Sequence, residues 1–375
     1  MGYIMLKNLV KNLQGGSKMK FDPNWNTDAV YHHLASQTYL KGWKHGDSSV
    51  YYIEKNDVNI NGNWTRNTRR LAGIENFFSR RAGAYSANLT DCQKFFKPLK
   101  NYTVKHKDKT LINPIELNRH FNLYDEWKIY DSSFKEISIS DKKRLKNIIK
   151  DIHIRDIEVG WSRLHENNWP SIRNDILNVI SSNPKATRIP SVRKDEFINF
   201  MVSLEWRTEP THPVLEESFK SVAAIPLLKS TMNEIIPEDE RMYPFLETPK
   251  EEFLHNMLLK YYHQFLNDNG PIYQEAQEII QKMNIELLVA ENSSEFITSD
   301  NPVCRFINGD GLLEYIFPIT PQVACAVRKG KPYDRNNYSV VYLKKEEVFK
   351  YNQKLKDNCF NGYILHRPSL TYYFK

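Results

Sequence analysis

Five short runs in the last quarter of the chain decide how the rest is read: IELLVA (residues 285–290), EFIT (295–298), YIFP (315–318), VACAV (323–327) and SVVYL (339–343). Each is dominated by β-branched, aromatic or other apolar side chains, and Gly, Pro or Asn separates them, which is the signature of strands and turns. Too short for helices of their own, they predict a compact antiparallel sheet. A helix at 344–357 follows, and 362–366 and 371–374 are placed to return to the sheet.

Upstream the hydrophobic period changes. Residues 141–152 put Leu145, Ile148, Ile149 and Ile152 on one side of a basic helix, and 170–181, 194–206, 216–235, 250–266 and 273–283 show the same spacing. Further upstream, 25–102 mixes His, Asn, Arg and aromatics, with a strand-like SVYYIE at 49–54 and a turn at Asn61-Gly62-Asn63. At the start, Ile4, Leu6, Leu9, Val10 and Leu13 form an amphipathic helix stopped by Gly15-Gly16-Ser17, and Met19 is as eligible a start as Met1. The expected fold class is α+β, with a helical body, a β-rich antiparallel C-terminal part and a mixed, partly β N-terminal part. Residues 1–20 form a terminal segment and 21–375 one large domain: basic and mixed over 21–110, helical over 111–283, β-rich over 284–375.

The composition supports a folded chain. Of 375 residues 41% are hydrophobic and 26% charged, too apolar for a disordered protein. No run reaches the ~18 apolar residues of a membrane span, and no secretory signal opens the chain. Cys92, Cys304, Cys325 and Cys359 are far apart, without a CxxC pair. A cytoplasmic location with free thiols is expected. The net charge of +7 is unevenly spread, since residues 1–110 carry 18 Lys/Arg against 8 Asp/Glu and 111–375 carry 34 against 37. That surplus either attracts nucleic acid or is a solvated basic face. Phosphate-loop, dinucleotide, HExxH and GxSxG motifs are absent, which argues against nucleotide motors, dinucleotide oxidoreductases and common serine hydrolases.

Four polar constellations remain. In HHLASQTYLKGW (32–43), His33 and Gln37 share a helical face, and an imidazole of pKa ~6.5 can move a proton near neutrality. The other reading is a hydrogen-bonded core histidine with Tyr39, Leu40 and Trp43 packing around it. In TSDNPV (298–303), Thr298, Ser299, Asp300 and Asn301 project from a turn before Pro302, able to hold a metal, a water or a phosphate ester, or simply to form an Asx turn. Arg207 is either an anion clamp or half of a structural ion pair. Arg66, Arg69, Arg70, Glu75, Phe77, Phe78, Arg80 and Arg81 interleave charge with aromatics, as in a nucleic-acid surface or in an ordinary surface helix.

Taken in order, these pieces resemble a bacterial family of unknown function whose pattern opens H-x-x-P-Q-x-Y-L-x-x-F. His33, Gln37, Tyr39 and Leu40 match, with Ser36 in place of the proline and Trp43 in place of the phenylalanine. Glu75-Asn76-Phe77-Phe78 is similar to its E-x-F-Y, Arg207-Thr208 to its R-T-P with Glu209 intruding before Pro210, and 296–303 to its F-x-T-S-D-N-P-V. Residues 317–321 resemble F-P-L-S-P, and Asn352 stands where an asparagine is expected. The family includes the Borvo-type phage-defence proteins. The resemblance implies a cytosolic effector of abortive infection, triggered by a phage protein.

The family supplies no reaction. Should His33, Glu75, Asp300 and Asn301 converge, they offer acid/base and metal- or water-positioning groups, with Asp300 as a ligand to a divalent ion such as Mg. Gln37, Tyr39, Arg69, Arg70, Arg207, Thr298, Ser299 and Asn352 would then contact substrate, and metal-assisted phosphodiester cleavage is the expected chemistry. The alternative is a non-enzymatic sensor of a phage component whose polar motifs are structural.

Overall fold

The computed structural model describes residues 20–46, 48–56, 64–71, 73–208, 213–223, 231–291, 294–330 and 332–374. The amphipathic segment at 4–13 and the Asn61-Gly62-Asn63 turn lie outside them. At the centre is a six-stranded sheet in the order Cys304–Ile307, Leu313–Thr320, Val323–Arg328, Asn284–Ala290, Asn337–Leu343, Arg188–Pro190. It is antiparallel, as expected, at every pairing but one: Asn337–Leu343 runs parallel to Asn284–Ala290. Asn337–Leu343 thus runs opposite to Val323–Arg328 and along Asn284–Ala290, which lies between them.

The VACAV run is buried throughout because both faces of the sheet are covered. Val323, Cys325 and Val327 join the core of the helical body, while Ala324 and Ala326 face a cluster with Phe296 and with Val348 of the helix Lys345–Asn358. The period of two along one strand thus divides two cores.

A second sheet ties the two ends of the chain together, in the order Thr298–Ser299, Gly362–Leu365, Ser49–Glu54, Thr65–Asn67. Gly362 permits the close pairing: a Cβ there would stand 2.4 Å from the Ile53 carbonyl oxygen. Residues 371–374 do not return to a sheet. They form the short helix Thr371–Phe374, in which the Phe374 amide donates to the Leu370 carbonyl at 3.1 Å and Tyr373 is buried.

The body consists of Asp156–Leu164, Trp169–Ser182, Lys194–Thr208, Pro213–Ala223, Pro249–Phe265 and Gly270–Lys282. The first was not anticipated from periodicity, and the helix expected over 216–235 is shorter, with residues 232–236 non-helical and 224–230 outside the described residues. Lys194–Thr208 runs through the middle, buried on all sides along its second half. No helix among the described residues is long and apolar enough to cross a membrane. The whole is an α+β fold.

Residues 82–154 build a separate core around Phe95, Phe121, Trp127 and Ile149, from the helices Leu89–Phe95, Pro114–Arg119 and Ile139–Lys150 and a three-stranded sheet. Arg80 fastens this unit to the body. Its guanidinium donates to Asp91 on one side and to Asp156 on the other, at 3.2 and 2.7 Å from Nε and Nη2. All three residues are buried. Arg80 is therefore no part of a nucleic-acid surface.

Candidate functional site at the junction of the motifs

Three motif segments meet at the C-terminal end of Lys194–Thr208. The strand Tyr31–His33 pairs with Gly73–Glu75, and the His33 carbonyl accepts from Arg207 Nη2 at 2.7 Å. The same nitrogen donates to Glu158 at 2.8 Å, while the guanidinium carbon sits 3.8 and 3.9 Å from the ring centroids of Phe78 and Trp161. Stacking between two rings suits a planar, weakly hydrated guanidinium and would not suit an ammonium. The side chain has no solvent exposure. Arg207 is therefore the buried, structural option of the two the sequence left open.

Glu158 and Trp161 were missed from sequence. They lie three apart on Asp156–Leu164, so both face Arg207. A Glu-x-x-Trp pair on an amphipathic stretch was the available signal.

One residue on, Thr208 Oγ1 lies 3.0 Å from Asn301 Oδ1. Asn301 Nδ2 donates to the Asn358 carbonyl at 3.2 Å, and Asn358 returns the bond to the Asn301 carbonyl at 3.0 Å. Ser299 Oγ donates to the Asn301 carbonyl at 2.7 Å and accepts from its amide at 3.2 Å, closing the turn. The Thr298 hydroxyl is 2.7 Å from the Tyr39 hydroxyl, which itself donates to the Pro318 carbonyl. Tyr39 is fully buried, and burial pushes its phenol well above the usual range. Asn352 accepts from the Ile297 amide and donates to the Glu295 and Tyr373 carbonyls.

Asp300 is the most fully committed of these groups. Its carboxylate accepts from three consecutive backbone amides, Phe360 at 3.0 Å, Asn361 at 2.7 Å and Gly362 at 3.2 Å. It is 8% exposed and lines a cavity of about 50 Å³ with Ala35, Leu40, Tyr52 and Leu71. That space admits a water or two and no nucleotide. A carboxylate ringed by N–H donors has the positive dipole ends of those groups aimed at its own oxygens, the wrong surroundings for a divalent cation, which needs several converging oxygens. No group of three or more His, Cys, Asp or Glu gathers as a metal site among the described residues. The residues present do not fit the Mg-type ion expected at Asp300.

His33 keeps some access to solvent. Its Nδ1 is 3.3 Å from Gln37 Nε2, which also donates to the Thr68 carbonyl. Burial lowers its pKa, opposed by a bond to the Leu71 backbone and by the Glu158 and Glu166 carboxylates. His32 is the buried one: Nδ1 accepts from the Phe78 amide at 2.8 Å, and desolvation, then Arg207, brings its pKa down to about 3. Glu75 is exposed, across the strand pair from Tyr31, and Arg69 is exposed beyond the Gln37 contact. The Arg70 side chain lies outside what is described. His33, Arg207, Thr208, Asp300 and Asn301 thus belong to one junction, Thr298, Ser299 and Tyr39 lie immediately behind it, and Glu75, Arg69 and Asn352 stand apart.

Two departures from the resembling pattern find their reasons here. Ser36 caps Gln37–Leu40, its Oγ accepting from the Tyr39 amide at 3.2 Å and donating to Glu166 at 2.8 Å. Trp43 fills the core and donates from Nε1 to the Phe296 carbonyl at 3.2 Å.

Fold and junction define a class: an α+β protein whose distant polar motifs are tied to one another at the end of one buried helix. The chain belongs to the family described as protein of unknown function (DUF4238), whose model matches residues 31–369. No curated protein and no solved structure matches it.

Proposed function

We propose that this chain is a bacterial antiviral defence protein that arrests the infected cell after recognising a phage component, and that its sequence motifs hold the fold while recognition takes place elsewhere. The defence role comes from the likeness to Borvo-type proteins. The observation that carries the recognition reading is the occupancy of Asp300: its carboxylate accepts from three backbone amides, which commits three of its about four lone-pair sites to the fold. Arg207, sealed between Phe78 and Trp161, cannot meet a substrate phosphate either.

Affinity capture on the full-length protein from phage-infected and uninfected bacteria tests this. A phage protein retained only from infected cells, which then binds the purified chain directly, is the expected result. Retention of none, together with RNA or DNA cleavage in the presence of Mg, overturns it. One observation favours the second reading, phosphodiester cleavage: the half-buried His33 imidazole has Glu158 and Glu166 as electrostatic neighbours, a set able to move a proton. Cleavage abolished by His33→Gln in a folded protein would establish that reading instead.

A further inference from the structure

A cavity larger than the one beside Asp300 lies away from the motif junction, in the crevice between the 82–154 unit and the helix Pro249–Phe265. It measures about 380 Å³ and is lined by Gly83, Tyr85, Ser86, Asn118, Arg119 and Lys260 among others. That volume lies in the range of small-molecule sites, at its lower end. The lining includes two cations and no carboxylate, and neither Arg119 nor Lys260 has an ion partner among the described residues. The Tyr85 ring is 74% exposed, with Lys260 Nζ 6.0 Å from its centroid. The Ser86 hydroxyl has no hydrogen-bond partner among the described residues, so its donor is not committed to the fold.

The wall that carries these groups is pre-organised. Asn118 Oδ1 accepts from the Gly83 amide at 2.7 Å, and its Nδ2 donates to the Ala84 carbonyl at 2.9 Å, pinning the 83–85 loop from behind. Gly83 holds φ +87°, and a Cβ there would meet Phe121 at 3.3 Å, so the loop takes the one residue that fits. Arg81 braces the same loop through the Met242 carbonyl at 2.8 Å. A large exposed ring held on a fixed loop loses little entropy on stacking, unlike one on a free strand.

We infer that this crevice is a nucleotide-binding site, with the phosphate between Arg119 and Lys260 and the base on the Tyr85 ring. The guanidinium supplies planar paired donors and the ammonium a point charge, both matched to phosphate oxygens. The exposed π-face accepts a base of any sequence. Free mononucleotide and the terminal nucleotide of a strand share this chemistry. The inference is independent of the phage-recognition reading, since no residue of the motif junction lines the crevice.

The test is calorimetric titration of the full-length protein with AMP, GMP, CMP and UMP, with adenosine and inorganic phosphate as partial probes. At least one mononucleotide is expected to saturate, more tightly than either partial probe. Arg119→Glu and Tyr85→Ala, both at exposed positions, should weaken it tenfold or more with an unchanged melting temperature. A 5′-phosphorylated trinucleotide that competes assigns the site to a strand end, and one that does not compete assigns it to free nucleotide; either supports the site. The inference is overturned if no nucleotide saturates below about 1 mM, if both variants bind as the parent does, or if phosphate alone binds as tightly as the nucleotide.

Discussion

Thr208 Oγ1 and Asn301 Oδ1 stand 3.0 Å apart although 93 residues separate them in the chain. This contact joins the end of the central helix to the turn that closes the second sheet. On its other side, Arg207 joins the same helix end to His33. The polar motifs are consequently load paths of the fold: each ties together segments that the chain delivers separately.

Asp300→Ala removes the acceptor for three amides and leaves them unpaired in a mostly buried place. The expected cost is about 2–4 kcal/mol, read as a lower urea midpoint with unchanged slope. A loss below about 0.5 kcal/mol would mean that the carboxylate does not hold the 360–362 turn.

Arg207→Lys keeps the charge but forfeits the stacked plane between Phe78 and Trp161 and the shared bonds to His33 and Glu158. A destabilisation of about 3 kcal/mol is expected, as for a broken buried pair. Replacing both Arg207 and Glu158 by Met and Gln should cost less than the two single losses summed, a coupling that a double-mutant cycle measures.

His32, His153 and His255 each have a pKa held at about 3, with burial the largest cause in each case. An unfolded histidine titrates near 6.5, so the unfolded chain takes up protons first as pH falls. Stability is therefore full above about pH 6.5 and declines from there toward pH 3. At pH 5 His32 and His255 each contribute about 2 kcal/mol of that decline, and the half-exposed His153 contributes less because solvent screens its charge. His255 packs against Phe77, Tyr243 and Phe245. His255→Phe should flatten the fall between pH 7.5 and 5 in paired urea titrations, and parallel curves for parent and variant would contradict the assignment.

Ser36 has φ −55°, within reach of proline. Ser36→Pro should therefore be accepted by the backbone, with a net change under about 1 kcal/mol, whereas Ser36→Ala loses the cap at about 1 kcal/mol. Thermal unfolding of the two variants separates cap from ring; a Ser36→Pro protein that fails to fold would show that Ala35 cannot precede proline here.

Gly362→Ala would place a methyl group against the Ile53 carbonyl in the middle of the second sheet. A loss of about 3 kcal/mol or insoluble expression is expected, and a soluble protein with the parent's melting temperature would show that the strands can part there.

The sequence by itself determined the element types wherever a period was sustained. SVYYIE is a strand, and the helices near 141–152, 170–181, 194–206, 250–266 and 273–283 fall within a few residues of their places, because burial of one face writes its period into the chain; VACAV, apolar throughout, is legible as a strand only from its length and flanking turns. Of the residues it singled out, Arg207 bonds the His33 carbonyl and Asn301 bonds the neighbouring Thr208, while Asp300 turns to the 360–362 amides. What it left open was their employment. A carboxylate before Asn-Pro looks the same whether it awaits a metal or holds three amides, and only the arrival of residues 360–362 decides. Arg80 reads as a surface cation, and Arg207 as an anion clamp or half of an ion pair, until Asp156, Glu158 and Trp161 fold over them from a helix whose own pattern is too short to notice. The separate core of 82–154 and the crevice beneath it arise from packing between segments far apart in the chain, and local periodicity carries no record of such partners.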